Sequence, residues 1–331
     1  MTVSEGVTGA GLCDDFTLPQ VGAVRCGRVN RSAFLISRSS RTFYKSRRLI
    51  ILIKLGMHVS IAGTIDQAAD NARELGCDTF QMFTRNPRGW QFKKLTPEEV
   101  AEFKRKTEAY GLKPVVSHMP YLPNLSSPRK IVYNKSLKSL SAELDRCGQL
   151  GIPYIVTHLG SHLGKGSEIG LKNIVSAINV AISQNKNDVV LLLENTAGTK
   201  NSMGSTYEEI KRILDGLENK KRVGICFDTA HAFAAGYDLR TTEAVNRTFA
   251  RFDQILGLSL LKVIHLNDSK VELGRGKDRH EHIGMGHIGE AGFKAIFKHE
   301  TLRELPFIME TPIDERRGVV ESMRKVRELA A

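Results

Sequence analysis

The sequence predicts an α/β protein built as a (β/α)8 TIM barrel, and three observations carry the prediction. Short, nearly continuous apolar runs recur eight times from residue 49 onward. Each is followed by a stretch of amphipathic, helical period. No glycine-rich phosphate turn follows the first run, where a doubly wound dinucleotide-binding sheet would carry one; the residues there read HVSIAG (58–63). Apolar strands without alternation belong to parallel sheets covered by helices on both faces, and eight such units close naturally into a barrel.

In chain order, strands are expected at 51–58, 78–83, 114–118, 154–158, 189–194, 223–228, 261–266 and 305–310. Helices are expected at 65–75, 97–110, 134–150, 168–184, 207–217, 242–256, 290–297 and 315–329. The second has the clearest start signal, with Thr96 as N-cap, Pro97 at the first helical position and acids in the first turn. A small-residue helical turn (Ala230, Ala232, Ala234, Ala235) follows the sixth strand. These elements make a single barrel domain over 49–331.

Residues 1–48 read differently. They have no sustained period, and from Phe16 to Ile65 there is not one acid. The Arg/Ser-rich part resembles an organelle transit segment in composition, but Glu5, Asp14 and Asp15 do not suit one, and no long apolar core follows a basic start. The expectation is a basic, disordered extension and a cytoplasmic protein, with a mitochondrial location as the alternative if that segment is a targeting sequence. Nine of the 48 basic residues and three of the 36 acids lie in 1–56, so the net charge of +12 falls to +6 for the rest. That balance permits a polyanionic partner without requiring one. Apolar runs are too short for a membrane span, so no membrane partner is expected. Five widely spaced cysteines with no CxxC pair argue against a disulfide framework or a thiolate metal site.

A barrel places its chemistry at the rim where strands end. The expected strand ends are His58, His118, His158, Glu194, Asp228, His265 and Glu310, seven of eight bearing an imidazole or a carboxylate. Polar groups there are costly unless they are paired or bind metal. His231 lies three residues after Asp228, on the same helix face, and Asp278 and His280 alternate in extended chain so that both side chains point one way. Carboxylate plus imidazole is ligand chemistry for zinc or a similar divalent ion, Mn2+ included. For Asp228 and His231 alone, a capping aspartate followed by a buried, satisfied histidine is the competing account.

With these motifs in view, the chain resembles the endonuclease IV family of apurinic/apyrimidinic endonucleases, from about Lys54 to the C-terminus. The resemblance is carried by HMPYLPNL (118–125), GICFDTAHAFAAGYDLR (224–240), HLNDSK (265–270) and DRHEHIGMGHIG (278–289), supported by HLGSHL (158–163) and ENTAG (194–198). It implies a three-zinc barrel that cuts the phosphodiester 5′ to an abasic site in duplex DNA, leaving 3′-OH and 5′-deoxyribose phosphate ends, as a monomer in base excision repair. One zinc would take His118 and His158 and share Glu194 with a second, which would also take Asp228, His265 and Glu310. The third would take His231, Asp278 and His280. Glu194 and Glu310 would be the catalytic carboxylates, one bridging and one assisting attack. His58 would lie near the ligands or the substrate without being a ligand. His162 and His282 are expected to hydrogen-bond within loops and His299 to face solvent.

Recognition of a missing base needs more than metal. The loop after the second strand offers Arg85, Arg88 and the sole tryptophan, Trp90; the loop after the third offers Tyr121 and Leu122. Wedges that enter the base stack are a common way to kink DNA and extrude a nucleotide. The resemblance assigns that DNA-binding role to Arg88, Tyr121 and Leu122. The chain departs from the family at Gly274-Arg275-Gly276, where Gly-Ser-Arg is usual, at Ala230 within DTAH, and at Leu159 after His158. The rival classes are a sugar isomerase or epimerase, which uses one or two metals and encloses its substrate, and a catalytically dead DNA-binding scaffold.

Overall fold

The computed structural model describes residues 53–331, so the expected extension at 1–48 lies outside the described residues. The elements run β1 (Lys54–Met57), α1 (Gln67–Glu74), β2 (Phe80–Met82), α2 (Pro97–Ala109), β3 (Val115–His118), α3 (Lys130–Leu150), β4 (Tyr154–Thr157), α4 (Ser167–Gln184) and β5 (Val190–Glu194). They continue with α5 (Tyr207–Asp215), β6 (Val223–Asp228), α6 (Thr229–Ala234), α7 (Thr242–Ile255), β7 (Leu261–His265), β8 (Asp268–Ser269), β9 (His280–Glu281), α8 (Gly289–Lys298), β10 (Pro306–Met309) and α9 (Val319–Ala330).

Eight of the strands form one parallel sheet in the order β1-β10-β7-β6-β5-β4-β3-β2. A parallel bridge between His58 and Gln81 joins the two ends of that order and closes the barrel. Gly56 lets β1 come close enough: a Cβ there would sit 1.8 Å from the Thr79 carbonyl oxygen. The interior is packed, not open. Val116, Val156, Leu192, Cys226, Val263 and Ile308, one each from six strands, form a buried apolar layer beneath the mouth. A second, larger apolar cluster lies between strands and helices and includes Phe80, Phe103, Phe227, Phe249 and Phe252. Both faces of these six strands are thereby dry, which is why they read as unbroken apolar runs.

The fold agrees with the expected elements and shifts some ends. Helix α3 starts at Lys130, earlier than the expected 134, because its first turn has no side-chain cap and leaves Ile131 exposed, so neither start signal is in the sequence. Helix α9 starts at Val319, later than the expected 315. Asp314 accepts the Arg316 backbone N–H at 3.0 Å and its guanidinium at 2.7 Å, turning residues 314–317 into a tight loop. The antiparallel pair β8–β9 is a further element, too short for periodicity to show. Asp268 anchors it: its carboxylate accepts backbone N–H groups from Ser269, Gly284, Gly286, Ile288 and Gly289 at 2.8–3.3 Å. No described helix is long and apolar enough to cross a membrane, and Cys77, Cys147 and Cys226 are buried free thiols.

Candidate metal centre

His118, Glu194, Asp228 and His265 are the last residues of β3, β5, β6 and β7, and His158 and Glu310 follow β4 and β10 directly. All six therefore stand at the C-terminal rim. Helix α6 contributes His231. Asp228 caps this helix, accepting the His231 backbone N–H at 2.8 Å. The capping account of Asp228 is thus correct and does not exclude ligation, because its other oxygen faces the mouth. Asp278 and His280 arrive from the β8–β9 segment.

The nine groups meet in one constellation. Glu194, fully buried, lies at its centre: Oε2 is 3.0 Å from His158 Nε2 and 3.3 Å from His118 Nε2, while Oε1 is 3.0 Å from His265 Nδ1 and 3.5 Å from His231 Nδ1. Glu310 Oε2 is 3.5 Å and Asp228 Oδ2 3.9 Å from His265 Nδ1. Asp278 is 3.2 Å from His231 Nε2 and 3.4 Å from His280 Nε2. Three clusters have ligand atoms close enough to share an ion: His118, His158 and Glu194; Glu194, Asp228, His265 and Glu310; and Asp228, His231 and His280. Two match the expected sets. The third differs from the expected set: it holds Asp228 with His231 and His280, while Asp278 falls outside it, 3.2 and 3.4 Å from the two histidines.

Three histidines have their ring protons placed by main-chain carbonyls. His118 Nδ1 lies 2.7 Å from the Met119 oxygen, His231 Nδ1 3.0 Å from that of Asn195, and His280 Nδ1 3.2 Å from that of Glu310. A carbonyl can only accept, so each Nδ1 carries a proton and each Nε2 is the nitrogen that faces the cluster and would bind a cation. His280 Nε2 is buried with no hydrogen-bond partner at all, an orphan that a cation would satisfy. Four carboxylates converging with five imidazoles fit divalent ions of the zinc type.

The electrostatics agree. Burial alone would raise Glu194 and Glu310, yet both stay well below the ordinary carboxylate range, Glu194 through His158 and His265 and Glu310 through His265 and His58. Asp278 is likewise pulled down to about 2, against burial, by His231. Burial would lower His231 and His265, but surrounding negative charge takes both well above the usual imidazole value. The pocket therefore attracts positive charge.

Polar neighbours that strand-end reading passed over complete the site. Asn267 donates to Asp228 Oδ2 at 2.7 Å and accepts the Glu310 N–H at 2.9 Å; Asn195 exchanges two bonds with the Asp228 backbone. Gln81 touches His58, Glu310 and His265. These amides sit inside apolar runs or beside stronger ligand signals, so a search for His, Asp and Glu could not flag them. His58 lies 3.5 Å from Glu310 and outside all three clusters. His162 accepts the Gly166 N–H within its loop. His282 is buried and 2.9 Å from Asp314. The expectation for His299 needs correction: it is only half-exposed, its ring 5.6 Å from that of Phe249 and its Nδ1 buried.

The mouth opens into two adjoining cavities of about 340 and 410 Å³, both bordered by His118, Tyr121, His158, His231 and Asp278. Tyr121, at 69% exposed, and Leu122, at 40%, stand on its edge, and Arg88 is exposed nearby in sequence to Pro87, whose carbonyl accepts the Tyr121 N–H at 3.3 Å. Tyr121 meets Phe83 edge-on and is not packed inward. Arg85, which the same loop offers beside Arg88, turns inward. It is buried, bonding Glu143 at 2.5 Å, the Ser139 hydroxyl at 2.6 Å and the Gly89 carbonyl at 2.8 Å. Of the family departures, Ala230 and Leu159 are buried and Arg275 is exposed beside Glu272.

Residues 69–329 match the family model of xylose isomerase-like TIM barrels. A probable endonuclease 4 of Methanoculleus marisnigri is 56% identical over 280 residues, spanning 84% of this chain and 99% of that protein. A probable endonuclease 4 of Nitrosopumilus maritimus is 50% identical, spanning 84% of this chain and all of that protein. The crystal structure of endonuclease IV from Thermus thermophilus superposes with a TM-score of 0.74 at 34% identity, covering 83% and 98% of the two chains. A D-tagatose 3-epimerase-like protein has the same fold, with a TM-score of 0.64 at 19% identity.

Proposed function

Because the chain belongs to the endonuclease IV family, we propose that it is a metal-dependent apurinic/apyrimidinic endonuclease acting in DNA repair. It hydrolyses the phosphodiester 5′ to an abasic site in duplex DNA, leaving a 3′-OH and a 5′-deoxyribose phosphate. The observation that carries this reading is the gathering of nine ligand-type side chains at one barrel mouth, beside the exposed Tyr121 and Leu122.

Phosphodiesters resist hydrolysis because the nucleophile must approach an anion and an alkoxide must leave. Divalent ions, most simply three zincs, supply a nucleophile at neutral pH and offset charge on the attacking and leaving oxygens. His118 and His158 with Glu194 would hold one ion; Glu194, Asp228, His265 and Glu310 a second; His231, Asp278 and His280 a third. Glu194 spans the first two sets with separate oxygens. Glu310, at the open side of its set, assists the attack on phosphorus, as the 3′ oxygen departs and takes up a proton. Arg88, Tyr121 and Leu122 enter the stack at the gap left by the missing base and hold the baseless sugar over the mouth. One chain brings the complete ligand set, so the catalytic unit needs no second copy.

The test is a duplex oligonucleotide with a single abasic site, incubated with zinc-loaded protein, with chelator, and with chelator followed by zinc. Cleavage 5′ to the site, lost with chelator and restored by zinc, with the intact duplex uncut, is expected. An abasic strand left whole by fully loaded protein would sink the proposal. Metal counting separates it from the epimerase reading, which calls for one or two ions.

A further inference from the structure

Gln81 lies in β2, fully buried, where β1 and β2 meet beneath the mouth. Its side-chain nitrogen is 2.5 Å from Glu310 Oε1 and 3.0 Å from His58 Nδ1, and its oxygen is 2.8 Å from His265 Nε2. The chemistry of these partners fixes the amide's direction. An ionised carboxylate can only accept, so the NH2 must face Glu310. The oxygen then faces His265 and can itself only accept, so His265 carries its proton on Nε2. Nδ1, which meets the Glu194 carboxylate at 3.0 Å and lies near Glu310 and Asp228, is then the nitrogen that gives up its proton and offers a lone pair when a cation sits among them.

His265 is thereby set opposite to its neighbours. His118, His231 and His280 present Nε2 because main-chain carbonyls hold their Nδ1 protons, an arrangement the fold alone provides. The tautomer of His265 depends on one side chain, and the same amide restrains the Glu310 carboxylate.

We propose that Gln81 is a positioning residue of the metal centre, orienting two ligands of one cation at once: His265 with Nδ1 inward, and Glu310. The proposal rests on the metal-dependent reading above. Groups that orient ligands in this way typically change metal affinity by about 10–100-fold when removed. The effect is expected at the Glu194–Asp228–His265–Glu310 set and not at the other two.

The test uses the full-length protein without DNA, then with it. In Gln81→Met, which fills the space but offers no hydrogen bond, competition against a chromophoric chelator should show one of three zincs loosened about 10–100-fold and two unchanged. The melting temperature of the chelated protein should stay close to that of the wild type. Turnover of the abasic duplex should fall while KM holds. Three zincs retained at wild-type affinity would reduce Gln81 to packing, as would equal loosening of all three with a less stable chelated protein. A second measurement needs no variant. Long-range 1H–15N spectra of zinc-loaded wild type should show His265 protonated at Nε2 and His118, His231 and His280 protonated at Nδ1; one tautomer throughout would overturn the proposal. Wild-type protein that takes up no zinc would sink the metal-dependent reading itself, a result distinct from either outcome for Gln81.

Discussion

Glu194 and Glu310 differ in ways that favour the separate roles proposed for them. Glu194 is fully buried and touches four imidazoles, whereas Glu310 keeps one side toward the cavity and its side chain is 20% exposed. A carboxylate that both borders the cavity and is held ionised by His265 and His58 suits assistance to an attacking nucleophile. Glu310→Gln should lower kcat by on the order of 10²-fold with a much smaller change in DNA affinity, measured by single-turnover cleavage and by binding in parallel; an unchanged rate would contradict the role. Arg88 contributes differently. Its side chain is exposed and its backbone N–H is held by Asn86 Oδ1 at 3.0 Å, so the turn that presents it is built locally. Arg88→Ala should weaken binding to an abasic duplex several-fold more than to an intact one, read by titration of both duplexes. Equal losses would mean that Arg88 contacts only the phosphate backbone.

The element that presents Arg88, the segment between β2 and α2, is anchored from below by helix α3. Glu143 accepts from Arg85 and from the Thr84 hydroxyl, both at 2.5 Å, and Arg146 donates to the Thr84 hydroxyl and the Lys93 carbonyl at 2.9 Å. Phe92 lies under both guanidinium groups, at 4.9 and 5.5 Å. One buried acid thus balances two nearly buried arginines. Removing it leaves uncompensated buried charge, so Glu143→Leu should cost about 3–5 kcal/mol, seen as a shift in the denaturation midpoint. The same variant should blunt discrimination between abasic and intact duplex, because the segment proposed to enter the gap loses its anchor. Helix α2 closes the segment with a full capping box, Thr96 and Glu99 each bonding the other's backbone N–H. The cap was legible in sequence. The inward turn of Arg85 was not, since its partners Ser139 and Glu143 lie more than fifty residues away.

At the scale of the barrel, six of its eight parallel strands each deliver one candidate ligand to a single end. The arrangement concentrates four carboxylates in one mouth, and cations held there would relieve their mutual repulsion as well as link the strands that carry them. Metal binding to the folded state alone stabilises it by mass action. Chelation should therefore lower the melting temperature by roughly 10 °C, with recovery on adding zinc; an identical melting curve with and without chelator would show that the folded protein holds no tightly bound ion.

By itself the sequence determined the barrel and most of its mouth. Eight apolar runs need a packed interior on one face and helices on the other, and a His, Asp or Glu closing such a run has nowhere to go except the rim, so the candidate ligand positions were local facts. Tertiary structure decided what depends on partners distant in the chain. It turned Arg85 inward onto Glu143, pinned β8–β9 through the five backbone bonds to Asp268, and set Gln81 between His265 and Glu310, 184 and 229 residues further along. A buried amide carries no periodic signature and no charge; its meaning lies in which neighbours its donor and acceptor meet, and closure of the barrel between β1 and β2 chose them.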